Sequence, residues 1–186
     1  MAEIVHVDPI YRGWSAFSLV RFRLDDGAGV ERCIEDHGDA ACVLPYDPER
    51  RVALLVRQFR APVTYRHETG FPEAPAGLID DGETPEAAAI REAEEETGLK
   101  LRSLESLGRF WSSPGSSTET SWLYLAEYAS ADRIGQGGGV DDHEDVEILE
   151  LPLAELAVRA KNGELHDLKL AVMALSLMQR RPELFG

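Results

Sequence analysis

The stretch from Gly77 to Leu99, G-L-I-D-D-G-E-T-P-E-A-A-A-I-R-E-A-E-E-E-T-G-L, constrains this chain more than any other. A Gly-rich acidic turn runs from Gly77 to Glu83, and a helix follows. Thr84 suits the N-cap, Pro85 the first helical position, and Glu86 a site where the helix dipole favours negative charge. Ala87, Ala88, Ala89, Ile90 and Ala93 are compatible with helix, and Gly98 stops it. At about 100° per residue, Glu92, Glu95 and Glu96 share a sector roughly 100° wide, while Glu94 points almost the other way. Carboxylates so placed repel one another. A solvated acidic face is the common outcome of a Glu run. The alternative is a hard divalent cation with oxygen ligands, Mg²⁺ above all.

Composition narrows the partners. The 186 residues suffice for one domain with a real core. Asp and Glu number 34 against 19 Lys and Arg, a net charge of −15, which repels nucleic-acid backbones and anionic membranes. No apolar run approaches the ~20 residues of a membrane span. The start MAEIVHVDPI has no basic segment followed by an apolar run, so a cytoplasmic protein is expected. Cys33 and Cys42 both lie in strand-like text and are expected to be reduced core residues.

Residues 3–8, 14–24 and 30–36 read as strands, with a hairpin turn at Asp25-Asp26-Gly27. Alone they make a small antiparallel sheet that needs covering, by the rest of the chain or by a second subunit. The expected division is residues 1–38 as N-terminal dimerisation strands and 39–186 as the main domain. Residues 39–45 and 51–59 form the next hairpin, and Val52 to Val56 reads as a strand buried on both faces. It leaves through Arg57-Gln58-Phe59-Arg60, an anion site or ordinary surface charge. Residues 61–76 read as a Pro-containing loop. Strands are expected at 101–110, 120–129 and 146–150, and a helix from Pro152 to Lys161. A last helix from Asp167 to Gln179 would bury Leu168, Ala171, Val172, Leu175 and Met178. Helices before and after a mixed sheet give an α/β class, an α/β/α sandwich.

The spacing of Gly77, Glu83, Arg91-Glu92, Glu95-Glu96 and Gly98 resembles the Nudix box at every fixed position, with Ala93 where Ile, Leu or Val is usual. The resemblance implies the Nudix fold and hydrolysis of a diphosphate joining a nucleoside to another group. It implies Glu92, Glu95, Glu96 and the Ala76 carbonyl as ligands of Mg²⁺, with Mn²⁺ a possible substitute. Arg91 would hold the box carboxylates, and Glu83, Gly77 and Gly98 would be structural. In many relatives a general base comes from a mobile loop outside the box. Glu144 is the candidate here, as base or metal ligand, with Asp142 second; Glu95 follows if the loop is not catalytic, and His143 is a bystander. Gly137-Gly138-Gly139 would let that loop close over substrate.

Pro114, fifteen positions after Leu99, resembles the ADP-ribose pyrophosphatase branch, and Gly137 to Pro152 looks like its GDP-mannose hydrolases. Arg57, Arg60, Glu73, Pro114 and Gly115 are then substrate-side residues. The branch implies a homodimer paired through the N-terminal strands. The leading expectation is a Mg²⁺-dependent pyrophosphatase releasing a nucleoside monophosphate and a sugar phosphate from ADP-ribose or GDP-mannose. The alternatives are a Nudix hydrolase of another substrate, such as a dinucleoside polyphosphate, and a Nudix-fold module that binds a nucleotide sugar without cutting it.

Overall fold

In a computed structural model of the chain, residues 2–139 and 146–185 are described. Asp142, His143 and Glu144 lie outside the described residues. The chain divides into two compact units, Met1–Asp39 with Phe110–Ser121, and Ala40–Arg109 with Trp122–Gly186.

The first unit is built on an antiparallel meander of β1 (Glu3–Arg12), β2 (Ala16–Arg23) and β3 (Gly29–Asp36), in that order. Strand β1 runs four residues further than its alternation suggests, through Pro9. An edge strand tolerates a proline, and the register shifts between Pro9 and Tyr11. The Asp25–Gly27 turn is closed by Leu24 N–H to Ala28 O at 2.8 Å. All of β1 is exposed, including Ile4, Val7, Ile10 and Tyr11, and Trp14 is 77% exposed. Residues 110–121 join this unit by long-range pairing with β3: Glu35 N–H to Ser116 O and Thr118 N–H to Glu35 O, both 2.9 Å. Cys33 is exposed, contrary to the core position expected of it; its strand has no buried residue.

The second unit is a sandwich. Its strands are β4 (Ala40–Asp47), β5 (Val52–Arg57), β6 (Ala76–Leu78), β7 (Glu105–Trp111), β8 (Thr120–Glu127) and β9 (Glu147–Pro152). They form a six-stranded mixed sheet of order β7-β8-β4-β5-β9, with β6 paired to β4. Helices are α1 (Ala61–Tyr65), α2 (Pro85–Thr97), α3 (Leu153–Asn162) and α4 (Leu168–Arg180). Strand β4 is buried throughout because both of its faces are covered. Ala41 and Val43 pack in one core cluster with Ala88, Ala89 and Ala93 of α2. Cys42, Leu44 and Tyr46 pack in the other with Leu153 and Leu156 of α3 and Leu170, Met173, Ala174 and Leu177 of α4. Each fully buried Leu or Met contributes about 1.5–3 kcal/mol relative to exposure. Helix α2 meets the sheet through alanines, and Tyr124 and Tyr128 bring bulk to its cluster, which accommodates Ala93 at a position where larger residues are usual.

Further details differ from the sequence expectation, among them strand β7, which begins at Glu105 rather than at 101. Residues 61–76 hold helix α1, with Pro62 in its first turn, and Ala76 begins strand β6. Helix α4 buries Leu170, Met173, Ala174 and Leu177, whereas Leu168 is 64% exposed. Most positions of this helix are apolar, so several stripes compete. Packing against β4 and α3 selects one on nearly the opposite side of the helix.

Candidate active site

Helix α2 presents the carboxylates because its start and end are fixed. Thr84 Oγ1 accepts from Ala87 N–H at 3.2 Å, and Gly98 closes the C-terminus at φ +72°. Glu94 faces out, while Glu92 and Glu95 are half-buried and Glu96 is 6% exposed.

Arg91 organises the acidic groups. Its guanidinium forks onto Glu83, Nε to Oε1 at 3.1 Å and Nη2 to Oε2 at 2.9 Å. Nη1 donates to Glu92 at 2.6 Å and Glu95 at 3.2 Å, and Nη2 to the Leu78 carbonyl at 2.9 Å. The Arg91 fork, above all, holds the Glu83 carboxyl below its usual range. Glu83 also closes the acidic turn, accepting from Asp80 N–H at 3.2 Å.

Gly77 lies on β6 opposite Ala41. A Cβ there would sit 1.9 Å from Glu92 Oε1 and 2.1 Å from its carboxyl carbon. The glycine is required for space rather than for turn conformation: only a bare Cα lets the Glu92 carboxylate lie against the strand.

Glu96 is held differently. Gln58 Nε2 donates to its Oε1 at 2.9 Å, and Ala76 N–H to its Oε2 at 3.1 Å. Burial pushes the Glu96 carboxyl up to about 7, and the charge of Glu92 adds to this, against the hydrogen bonds from Ala76 and Gln58. Gln58 sits inside the R-Q-F-R run without standing out in the sequence. A glutamine between two arginines carries no motif signal; only the fold brings it to the helix.

The flanking arginines each have a carboxylate. Arg60 grips buried Glu73 through Nε (2.9 and 3.1 Å) and Nη2 (2.8 Å), and Arg57 Nη1 donates to Glu147 at 2.8 Å. Glu73 is further fixed by reciprocal backbone bonds with Val56. A cavity of about 340 Å³ opens beside them, lined by Arg57, Gln58, Phe59, Arg60 and Glu147 among others. Pro114 and Gly115 form the tip of an exposed turn in the first unit, closed by Ser116 N–H to Ser113 O at 3.0 Å.

A box of this form on a helix packed against a mixed sheet matches a family model, the NUDIX domain, over residues 36–171. The chain belongs to the Nudix family. Among its relatives are the GDP-mannose pyrophosphatases of Cronobacter sakazakii and Klebsiella pneumoniae. The first is 38% identical over 152 residues, 81% of this chain and 78% of the relative. The second is 40% identical over 158 residues, 83% of this chain and 78% of the relative. A solved ADP compounds hydrolase has the same fold, with a TM-score of 0.76 at 20% identity, covering 98% of this chain and 94% of its own.

Nudix hydrolases generally need divalent metal ions. Among the described residues, no three His, Cys, Asp or Glu side chains are grouped closely enough to hold an ion. Arg91 takes Glu92 and Glu95, while Glu96 turns to Gln58 and Ala76. The donor set nonetheless fits such a cation. It consists of hard oxygens, and its most buried member, Glu96, has its ionised form disfavoured by burial and by Glu92, a penalty that a nearby cation offsets. No helix among the described residues is long and apolar enough to cross a membrane.

Proposed function

We propose that this Nudix protein is a magnesium-dependent nucleoside diphosphate sugar pyrophosphatase, acting on GDP-mannose in preference to ADP-ribose. What supports it most is the carboxylate set on α2, in which Gly77, Arg91, Gln58 and Ala76 hold Glu92, Glu95 and Glu96 in place. The names of the relatives favour the mannose substrate. Water would add to one phosphorus of the diphosphate, the bridging P–O bond would break, and a nucleoside monophosphate and a sugar phosphate would leave.

Glu92, Glu95, Glu96 and the Ala76 carbonyl would hold the cation, with Mn²⁺ able to replace Mg²⁺. When bound, it would neutralise diphosphate oxygens and lower the pKa of a coordinated water. Arg91 keeps the carboxylates oriented. Arg57, Arg60 and Glu73 line or border the cavity, which would take the substrate; Pro114 and Gly115 are substrate-side residues by family resemblance alone. An exposed Cys33 thiol suits a cytoplasmic location.

The test is product chromatography with Mg²⁺ across GDP-mannose, ADP-ribose and a dinucleoside polyphosphate. GDP and mannose as products, or no cleavage of any nucleotide sugar, would refute the reading. We assign the general base to Glu144, with Asp142 second. Glu144→Gln should slow kcat about 10²–10⁴-fold with KM little changed, and Asp142→Asn should slow it far less. The reverse order moves the base to Asp142, and no effect from either moves it to Glu95.

We also propose that the apolar residues exposed on β1 and at Trp14 pair two copies of the chain. Light scattering at micromolar concentration should report about twice the 20.6 kDa chain mass. A fully active monomer would refute the pairing.

A further inference from the structure

The glycines at 137–139 read in the sequence as a hinge. Their observed contacts are those of a dock. A helix leaves its last carbonyls without partners, and in α2 those carbonyls belong to Glu95, Glu96 and their successors. Gly138 N–H donates to Glu96 O at 2.9 Å, and Gly139 N–H to Glu95 O at 3.1 Å. Ile134 and Gly135 N–H both donate to Gly98 O, at 2.9 and 3.2 Å.

The approach is close enough to exclude side chains. A Cβ on Gly137 would lie 2.6 Å from both Glu96 O and the Thr97 carbonyl carbon, and one on Gly98 would lie 2.3 Å from Gly135 O. Gly137, Gly138 and Gly139 adopt φ of +67°, +106° and +87°, which turn successive N–H groups onto the helix end.

We propose that residues 135–139 are a positioning strap, in which Gly137 sets the backbone position of Glu95 and Glu96 and thereby how their carboxylates meet a divalent cation. This rests on the reading of those carboxylates as metal ligands. A plain helix cap is the competing account, and the chain supplies its own comparison. Gly163 caps α3 at φ +72°, and a Cβ there would meet nothing within 4 Å. Gly163→Ala therefore carries the same left-handed backbone strain without contact with the carboxylate helix.

The experiment is calorimetric titration of the whole protein with Mn²⁺, alongside the Mg²⁺ dependence of hydrolysis. Gly137→Ala should weaken Mn²⁺ binding about 10–100-fold, as loss of groups that orient metal ligands does, and raise the Mg²⁺ needed for half-maximal rate in parallel. Gly163→Ala should lose less thermal stability, since it carries the strain without the close contact, and keep wild-type Mn²⁺ affinity. If Gly137→Ala does not fold, Gly138→Ala decides. Its methyl meets nothing, but an alanine resists φ +106°, so the bond to Glu96 O should loosen and Mn²⁺ binding weaken several-fold. Wild-type Mn²⁺ affinity in the folded strap variant would overturn the strap. A wild-type protein that neither binds Mn²⁺ nor hydrolyses nucleotide sugars would overturn the reading of the site itself.

Discussion

Glu96→Gln should remove most turnover and leave the fold intact. Glu96 is the most buried carboxylate of the box, and both of its oxygens are already placed by Gln58 and Ala76. An amide keeps the shape and loses the charge a cation needs, so the expected loss is on the order of 10³-fold in kcat/KM at saturating Mg²⁺. Activity within tenfold of wild type would reject Glu96 as a ligand. The same variant tests the electrostatics without metal. The carboxyl stands near 4.5 in the unfolded chain and at about 7 in the fold. Between these values the native state binds more protons than the unfolded one, so this group's contribution to stability is present below pH 4.5 and lost as pH rises through 7. Wild type should therefore lose on the order of 3 kcal/mol relative to Glu96→Gln between pH 4.5 and 8, measured by urea unfolding in chelator. A constant difference across that range would show that the carboxyl is not raised.

Arg91→Met should cost both stability and activity. Met keeps apolar bulk and leaves Glu83, Glu92, Glu95 and the Leu78 carbonyl without their donor. Removing one partner from a half-buried charge network costs about 2–4 kcal/mol, which for a domain of this size lowers Tm by about 5–15 °C. Turnover should fall about 10²-fold at low Mg²⁺, as the carboxylates lose their orientation, and recover in part as Mg²⁺ is raised. Arg91→Lys should recover little, since an ammonium cannot fork onto Glu83 while reaching Glu92 and Glu95. An unchanged Tm in Arg91→Met would mean that the guanidinium is dispensable to the turn.

These effects trace to features of unequal legibility. Helix α2 was readable because Thr84, Pro85 and Gly98 are local signals whose meaning needs no partner. Strands β4 and β5 were readable because unbroken apolar runs are what two covered faces require. The buried stripe of α4 was not, because a helix apolar on most sides is oriented by its neighbours. The pairing of residues 110–121 with β3 was also invisible, being long-range backbone bonding that side-chain identity does not encode. At the site, the carboxylates and Arg91 were visible in the spacing. Gln58 was not, nor was the reason for Gly77, which is the room that Glu92 takes. The strap glycines stand out in the sequence for their freedom, which Gly138 uses at φ +106°; at Gly137 the contacts require smallness as well.

The two cysteines have a practical consequence. Cys42 is sealed between the sheet and the α3–α4 layer, while Cys33 stands open on the small meander. The unmodified chain thus carries one addressable thiol. A spin label or fluorophore attached there needs no engineered background, and it would report distances between copies directly from the sheet proposed to join them.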